Sequence, residues 1–470
     1  MSDGQAGGGK GPGKGPGKRG GSGGRRGGSH RGGPRRDGPA RRPAPEGHDA
    51  RREALRLLIG VLEDGRMLAD LAEDAPAGLA PADRARARSL AALTLRRIGQ
   101  ADAALKPFLR SNPPGPARAA LRMAAAEAHG DGGPVHAVVD GAVSALRSLG
   151  AGGLSGLVNA VARKACGPDG LAAWEKAGET ANAPGWLRDR LEKAWGKRTA
   201  QAILRAQLSA PPLDLTPHPR ADAALLAADM GAELLPCGSL RLARQAQVSA
   251  LPGFDEGAFW VQDAAAAQPA RVLAPQKGER ILDLCAAPGG KTMQLAAAGA
   301  EVTALDISDR RLERVAENLA RTGLSAEIVC VDAQEWSPDA PFDAILLDAP
   351  CSASGTVRRH PDLPQIKQGK DVEALTALQD ALLEKAWSWL RPGGRLVFAT
   401  CSLFPEEGEA RIAAFLERHA DATRAPVDPA ALGGDPDWAT ADGDLRLRPD
   451  FLWEKGGMDG FFAADLRKRG

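Results

Sequence analysis

Two cysteines stand where a nucleophile would be useful. Cys351 follows Asp348-Ala349-Pro350 and Cys401 follows Thr400, each at the end of an apolar run that reads as a buried strand. A thiol beside an electropositive cleft can ionise and attack carbon. An electron-poor pyrimidine C6 is a suitable target, and attack there makes C5 nucleophilic enough to take a methyl group. Chemistry alone does not say which cysteine attacks, since both sit at the same strand edge. Between them, Arg358-Arg359-His360-Pro361-Asp362 offers cations beside the cleft for phosphate contacts. His360 alone reads as structural. Cys330, within Ile328-Val329-Cys330-Val331, reads as an inert core thiol and Cys285 as a loop packing residue.

Carboxylates mark the other strand ends. Strands are expected at 280–284, 301–306, 326–332, 343–348 and 395–400, with helices at 309–321 and 372–390 and Pro392-Gly393-Gly394 turning into the fifth strand. Asp283, Asp306, Asp332, Asp348 and Thr400-Cys401 then close the five strands, and in a parallel sheet these ends converge on one crevice. Asp306 follows Asp283 by 23 residues, a spacing suited to a carboxylate accepting from a ribose diol. Asp332 is placed to accept from an adenine amino group, with Ala333 packing on the ring. A single strand-end Asp is usually a helix cap or turn former, but three in register with a glycine turn favour a cofactor.

That turn is Ile281-Leu-Asp-Leu-Cys-Ala-Ala-Pro-Gly-Gly-Lys-Thr292, a strand, a glycine turn and a helix over 292–298. It puts backbone N–H groups at a helix N-terminus on the carboxyl edge of a sheet. A P-loop would need glycine at position 285, where Cys stands; a dinucleotide fingerprint would need more than the pair Gly289-Gly290. An S-adenosylmethionine (SAM) pocket is the third reading, and the strand ends favour it.

The rest of the chain positions and delivers this constellation. At 470 residues the chain holds several domains, and no apolar run reaches the ~18 residues of a membrane span. The N-terminus lacks an apolar signal core, which predicts a cytoplasmic protein, and the six cysteines show no metal-type spacing, so no metal is expected. Net charge is +2, but residues 1–44 alone carry eleven Lys or Arg and two Asp, a +9 that leaves −7 elsewhere. Those 44 residues contain no Leu, Ile, Val or aromatic residue, and Arg-Gly-Gly recurs at 19–21, 26–28 and 31–33. Residues 1–46 therefore read as a disordered tail, either weakly RNA-binding or merely solubilising.

Helical spacing dominates from about 48 to 180. Leu55, Leu58, Ile59 and Leu62 fall at i, i+3, i+4, i+7, as do Leu154, Leu157, Val158 and Val161; Ala87, Ala91, Leu95 and Ile98 share a face of a helix begun by Asp83. Arg84, Arg86, Arg88, Arg96 and Arg97 on that helix suit RNA phosphate, or a solvated face equally well. Trp186 to Leu208 continues helical, Pro211-Pro212 breaks it, and short apolar runs at 233–251 suggest a small α+β connecting domain.

Taken together, Leu282-Asp-Leu-Cys-Ala-Ala-Pro-Gly-Gly-Lys-Thr292, Asp348-Ala-Pro-Cys-Ser352, Arg358-Arg-His-Pro-Asp362 and Ala399-Thr-Cys-Ser402 resemble the Sun (Fmu) family of RNA cytosine-C5 methyltransferases, and Val261-Gln262-Asp263 fits its pattern. Val158-Asn-Ala-Val-Ala-Arg163 and Asp83-Arg-Ala-Arg-Ala-Arg88 resemble the NusB-like domain of the bacterial small-subunit rRNA methyltransferase B branch. The resemblance spans roughly 48–470. It implies a multidomain chain: a tail at 1–46, an all-α NusB-like RNA-binding bundle at 47–180, an α+β connecting subdomain at 181–270, and an α/β doubly wound, Rossmann-like SAM-dependent methyltransferase domain at 271–470. It further implies SAM against Cys285, Ala286, Ala287, Pro288, Gly289, Gly290 and Lys291, with Asp306 on its ribose and Asp332 near its adenine. Asp348 would lie beside the target base, Cys401 would attack, and Cys351 would assist release. The implied substrate is 16S rRNA; another RNA such as tRNA, a DNA-type mechanism using Cys351, a nucleotide-binding protein or a non-catalytic RNA assembly factor are the rivals. One departure is Cys351-Ser-Ala-Ser-Gly355, where the family usually has Cys-Ser-Gly-Thr-Gly; Ala353 should stiffen that loop.

Overall fold

A computed structural model describes residues 48–76, 78–243 and 246–470; the reading of 1–46 as a disordered tail lies outside the described residues. The chain from His48 to Ala177 is helical, with helices His48–Leu62, Leu68–Glu73, Pro81–Arg96, Ile98–Leu105, Gly115–Gly130, Val135–Ser148, Ser155–Ala165 and Pro168–Ala177. Their apolar faces meet in one core containing Leu55, Leu58, Ala91, Leu121, Val138 and Val158. Two expectations need correction. The Ala87–Ile98 face is split, because Arg97 leaves helical geometry (φ −110°, ψ 19°) and Ile98 opens a new helix. Leu157 is 39% exposed; the buried stripe of its helix is Val158, Val161, Ala162 and Ala165, the same spacing displaced by four residues, about one turn.

Helix Gly185–Gln207 is interrupted at Gly196 (φ 73°, ψ 160°), a conformation that costs glycine little. Its buried Leu187, Leu191, Ile203 and Leu204 pack on Val372, Leu403 and Phe404. Four short strands follow: β1 (Leu213–Pro217), β2 (Glu233–Leu234), β3 (Leu240–Leu242) and β4 (Phe259–Val261). They form an antiparallel sheet in the order β2-β3-β1-β4. Helix Ala223–Met230 crosses between β1 and β2, capped by Asp222 Oδ1, which accepts from Ala224 N at 2.9 Å, and ended by Gly231 at φ 63°.

The remaining strands are β5 (Arg280–Leu284), β6 (Glu301–Asp306), β7 (Glu327–Cys330), β8 (Phe342–Asp348), β9 (Leu390–Thr400), β10 (Ala422–Ala425), β11 (Leu445–Leu447) and β12 (Phe461–Lys468). They build an eight-stranded sheet ordered β10-β12-β9-β8-β5-β6-β7, with β11 on β12. Strands β5 to β9 pair in parallel, while β12 runs antiparallel to β9, β10 and β11. Helices cover both faces: Leu282, Ile345, Leu347 and Phe398 meet Leu382, Leu383 and Trp387 on one side, and Ile281, Leu346 and Val397 meet Leu273 and Leu295 on the other. This two-sided burial explains why these strands read as unbroken apolar runs. The chain goes outward from β5 to β6 and β7, then returns to place β8 on the opposite flank of β5. The loops after β5 and β8 therefore diverge and leave a crevice at the carboxyl edge.

The strands differ from expectation at two places. Strand β7 is shorter than 326–332 and is the sheet's edge, paired only with β6. Cys330 is consequently exposed rather than a core thiol, and Ile328 beside it is 38% exposed. Pro392-Gly393-Gly394 does not precede the fifth strand but bulges within it, where the partner register jumps from Phe342↔Leu390 to Ala344↔Arg395. Among the described residues no helix is long and apolar enough to cross a membrane, and no group of three or more His, Cys, Asp or Glu is arranged to hold a metal ion.

Candidate active site

The glycine turn leaves β5 through Cys285, whose φ of 65° is unusual for a residue with a Cβ, and closes with Gly289 at φ 97°. Helix Gly290–Ala297 starts directly after it. Asp283 does not reach the crevice, contrary to the strand-end expectation. It is fully buried, accepts the Thr292 hydroxyl at 2.6 Å, and so ties the new helix back to its strand. Burial pushes its carboxyl up to about 7.

Asp306, at the end of β6, is buried and braces the same turn. Its Oδ2 accepts from Ala287 N at 3.1 Å and its Oδ1 from Ser308 N at 3.0 Å, with Arg311 3.6 Å away. Each carboxylate oxygen keeps a further lone pair for an incoming hydroxyl. Ile307 follows it and is 68% exposed, an apolar side chain that sequence reasoning passed over. Asp332 is half-buried and its Oδ1 accepts from Gln334 N at 2.9 Å, forming a turn. Ala333, expected against an adenine ring, is instead buried in the sheet's core.

The loops after β5, β8 and β9 meet around a cavity of about 520 Å³ lined by Ala286, Ala287, Pro288, Gly290, Lys291, Asp348, Cys401 and Phe461, and by the Trp260–Asp263 segment. Lys291 is nearly buried. Its Nζ donates to Asp348 Oδ2 at 2.7 Å and lies 5.0 Å from the centre of the Phe461 ring. Burial opposes its charge, but the adjacent carboxylate prevails and holds the ammonium above its usual range. Cys351 and Cys401, fifty residues apart, bring their sulfurs to 3.4 Å. Cys401 lines the cavity, whereas Cys351 lies behind it and is buried. The sulfur contact with Cys401, together with burial, pushes the Cys351 thiol well above its ordinary range.

The cations expected to contact phosphate have internal partners. Arg358 is fully buried and donates to the carbonyls of Met458 and Gly456. Arg359 bridges two buried carboxylates, with Nε 2.7 Å from Asp459 and Nη2 on Asp263. Burial pushes Asp459 up to about 7; Asp263, despite burial, is held below the usual carboxylate range by Arg359. Burial lowers His360. Asp362 accepts from Leu68 N at 2.8 Å, and Arg96, largely buried, donates to Arg358 O at 2.6 Å. The motif therefore joins the helical bundle to the sheet domain. The arginines of the Pro81–Arg96 helix follow the same rule: Arg84 and Arg88 donate to carbonyls and Arg86 pairs with Glu127 and Asp131.

A doubly wound sheet with a glycine turn at its switch point and a pair of thiols at the neighbouring strand ends defines a Rossmann-like methyltransferase. A family profile described as 16S rRNA methyltransferase RsmB/F matches residues 270–467, and one described as the NusB family matches 48–166. Ribosomal RNA small subunit methyltransferase B of Xanthomonas campestris pv. campestris is 37% identical over 443 residues, covering 90% of this chain and 98% of that protein. The solved structure of PH0851 superposes with a TM-score of 0.72 at 25% identity, covering 90% of this chain and 99% of that one. A methyltransferase homolog protein from Pyrococcus horikoshii follows with a TM-score of 0.51 at 29% identity, covering 60% of this chain and 93% of that one. The chain belongs to the RsmB/F family of 16S rRNA methyltransferases and carries a NusB-family domain at its helical end.

Proposed function

We propose that the chain methylates C5 of a cytosine in 16S rRNA, with SAM as methyl donor and Cys401 as nucleophile. The observation that carries this reading is the cavity in which Cys401, Asp348 and Lys291 meet the glycine turn, with Cys351 held behind Cys401. The residues suit SAM: Ala286, Ala287, Pro288 and Gly290 line the cavity, Asp306 retains acceptor capacity for a ribose, and Ile307 exposes an apolar surface beside it for an adenine ring. Asp332 completes that end through its free Oδ2. When bound, SAM supplies the electrophilic methyl group.

This chain's own residues carry the other steps. Cys401 sulfur forms a bond to C6, and the electron pair of the C5–C6 double bond moves toward C5 and N3. Asp348, fixed by Lys291, accepts from the exocyclic amino group, and the Lys291 ammonium beside it is the donor available to stabilise the charge at N3. After C5 gains the methyl group, a base takes the C5 proton, the C5–C6 double bond re-forms, and Cys401 leaves as thiolate. Cys351, neutral and 3.4 Å away, is placed to hydrogen-bond the departing sulfur. In the same reading the chain divides at 46, 180 and 270. The separate cores of the helical bundle and of the β1–β4 sheet support this division. The bundle and the basic tail bind RNA, and the ribosomal substrate puts the reaction in the cytoplasm. The test is methyl transfer from labelled SAM into 16S rRNA, tRNA and duplex DNA by the purified chain, with bisulfite sequencing of the product. Label in tRNA or DNA alone overturns the substrate, and label in none overturns the enzyme.

A further inference from the structure

Behind the two thiols lies a buried carboxylate that the reaction does not touch. Glu407 is fully buried, between β9 and helix Glu409–Arg418. Its Oε1 accepts from Ser352 N at 2.8 Å, next to Cys351, and from Gln379 Nε2 at 3.1 Å. Its Oε2 accepts the Ser402 hydroxyl at 2.6 Å, next to Cys401. Gln379, on helix Asp371–Trp389, also donates to Pro350 O at 2.8 Å. Ser352, Ser354 and Ser402 hydroxyls form a triangle with 3.2 Å sides, and Leu403 N closes on Ser354 at 2.9 Å. Three donors from three segments converge on one side chain, and every group facing it gives a hydrogen. A side chain with two acceptor oxygens satisfies that arrangement as it stands; a glutamine brings one acceptor, and its amino group would have to turn the Ser402 hydroxyl, which already accepts from Phe404 N at 3.0 Å, from donor into acceptor.

We propose that Glu407 is the positioning residue of the thiol pair: by gripping Ser352 and Ser402 together, it holds Cys351 behind Cys401 and leaves Cys401 facing the cavity. The inference rests on the assignment of attack to Cys401 and release to Cys351. β8 and β9 end at Asp348 and Thr400, before either thiol, so beyond the strands the two loops are held by Glu407, the serine triangle and Leu403 N on Ser354. Beyond the strands only Ala349 N to Ala399 O, and Gly355 N to Cys401 O at 2.9 Å, join the two backbones directly. The carboxylate charge also works against ionisation of Cys351, adding to the sulfur contact and burial. Its side chain thus sets the order of the two sulfurs in space and adds to what opposes ionisation of Cys351.

The test uses the full-length chain with Glu407→Gln and, removing one spoke together with two sides of the serine triangle but leaving the carboxylate, Ser402→Ala. Two readouts are taken: steady-state methylation of 16S rRNA, and the iodoacetamide alkylation rate of each of the six cysteines by mass spectrometry. In Glu407→Gln, kcat should fall on the order of 10²-fold, as expected for a misplaced reacting group. The KM values for SAM and RNA should stay within about twofold, since binding contacts are retained. The preference of iodoacetamide for Cys401 over Cys351 should shrink, while buried Cys166 and Cys237 stay slow; Ser402→Ala should show the same pattern more weakly. If Glu407→Gln does not fold, the Ser402→Ala pattern decides. An unchanged kcat and thiol preference would overturn the proposal, as would faster alkylation of Cys166 and Cys237 together with the pair, which marks general loosening. Product formation by Cys401→Ala would instead overturn the nucleophile assignment, which the alkylation pattern does not depend on.

Discussion

The loop after β8 and the loop after β9 carry one thiol each on neighbouring strands, and they differ in nearly everything else. The first is long, passes through Ala353 at φ 57°, and has its Cys351 carbonyl held by Lys367 Nζ at 2.8 Å. The second turns at once from Thr400 into Cys401-Ser402, with Trp195 Nε1 donating to Leu403 O at 3.0 Å. One sulfur is enclosed and kept neutral; the other meets the cavity. Equal chemistry in the two side chains meets unequal surroundings through burial and neighbours alone.

The most severe break of that comparison is to remove each thiol in turn. Cys401→Ala should form neither covalent RNA adduct nor product. Cys351→Ala should still attack and methylate but release slowly, so that adduct accumulates on a denaturing gel. The reverse pattern would exchange the roles. Next in size is Lys291→Met, which leaves the Asp348 carboxylate without the ammonium 2.7 Å away. Turnover should drop on the order of 10²–10³-fold, the scale of losing one preorganised electrostatic partner. Retention of wild-type kcat would show that Asp348 needs no fixing.

A smaller effect separates support of the glycine turn from the thiol loops. The Asp283 carboxyl titrates near 7 in the folded chain against 3.8 as a free side chain. With the folded value raised, the stability it contributes is greatest below about pH 4 and declines as pH rises toward 7. Asp283→Asn keeps an acceptor for Thr292 and carries no charge. Its melting temperature relative to the parent should therefore be higher at pH 8 than at pH 5; an equal difference at both pH values would refute the assignment. The smallest change is Ala353→Gly. A left-handed alanine costs about 1–2 kcal/mol, and the added glycine entropy returns about 0.4–1 kcal/mol of that. Chemical denaturation should show a gain of at most about 1.6 kcal/mol; a loss would mean the Ala353 methyl packs usefully.

The expectations that held rest on local order. Strands β5, β6 and β8 and the helices after β6 and before β9 show in their apolar periods, because a two-sided parallel sheet writes itself as apolar runs between helical stripes. The glycine turn was readable because its backbone geometry is set within a few residues. The internal partners of Arg358 and Arg359 were not readable, for the opposite reason. Nothing near them in the chain announces Met458 and Asp459, a hundred residues on, or Asp263. Glu407 gave no signal either, since an acidic residue after Phe404-Pro405-Glu406 reads as solvated.

The amino-acid order by itself thus determined which side chains can do chemistry here: two thiols, a lysine and carboxylates, each at the end of a strand or turn that local periodicity specifies. It determined the fold class for the same reason. Tertiary structure decided which of those groups face the cavity and which face protein. Strand order made Cys330 an edge residue, set Cys351 behind Cys401, turned Asp283 inward to Thr292 and gave Arg359 to two buried carboxylates. Those outcomes depend on burial and charge pairing between segments far apart in the chain, where the cost of desolvating a charge is settled by whichever partner the fold brings beside it.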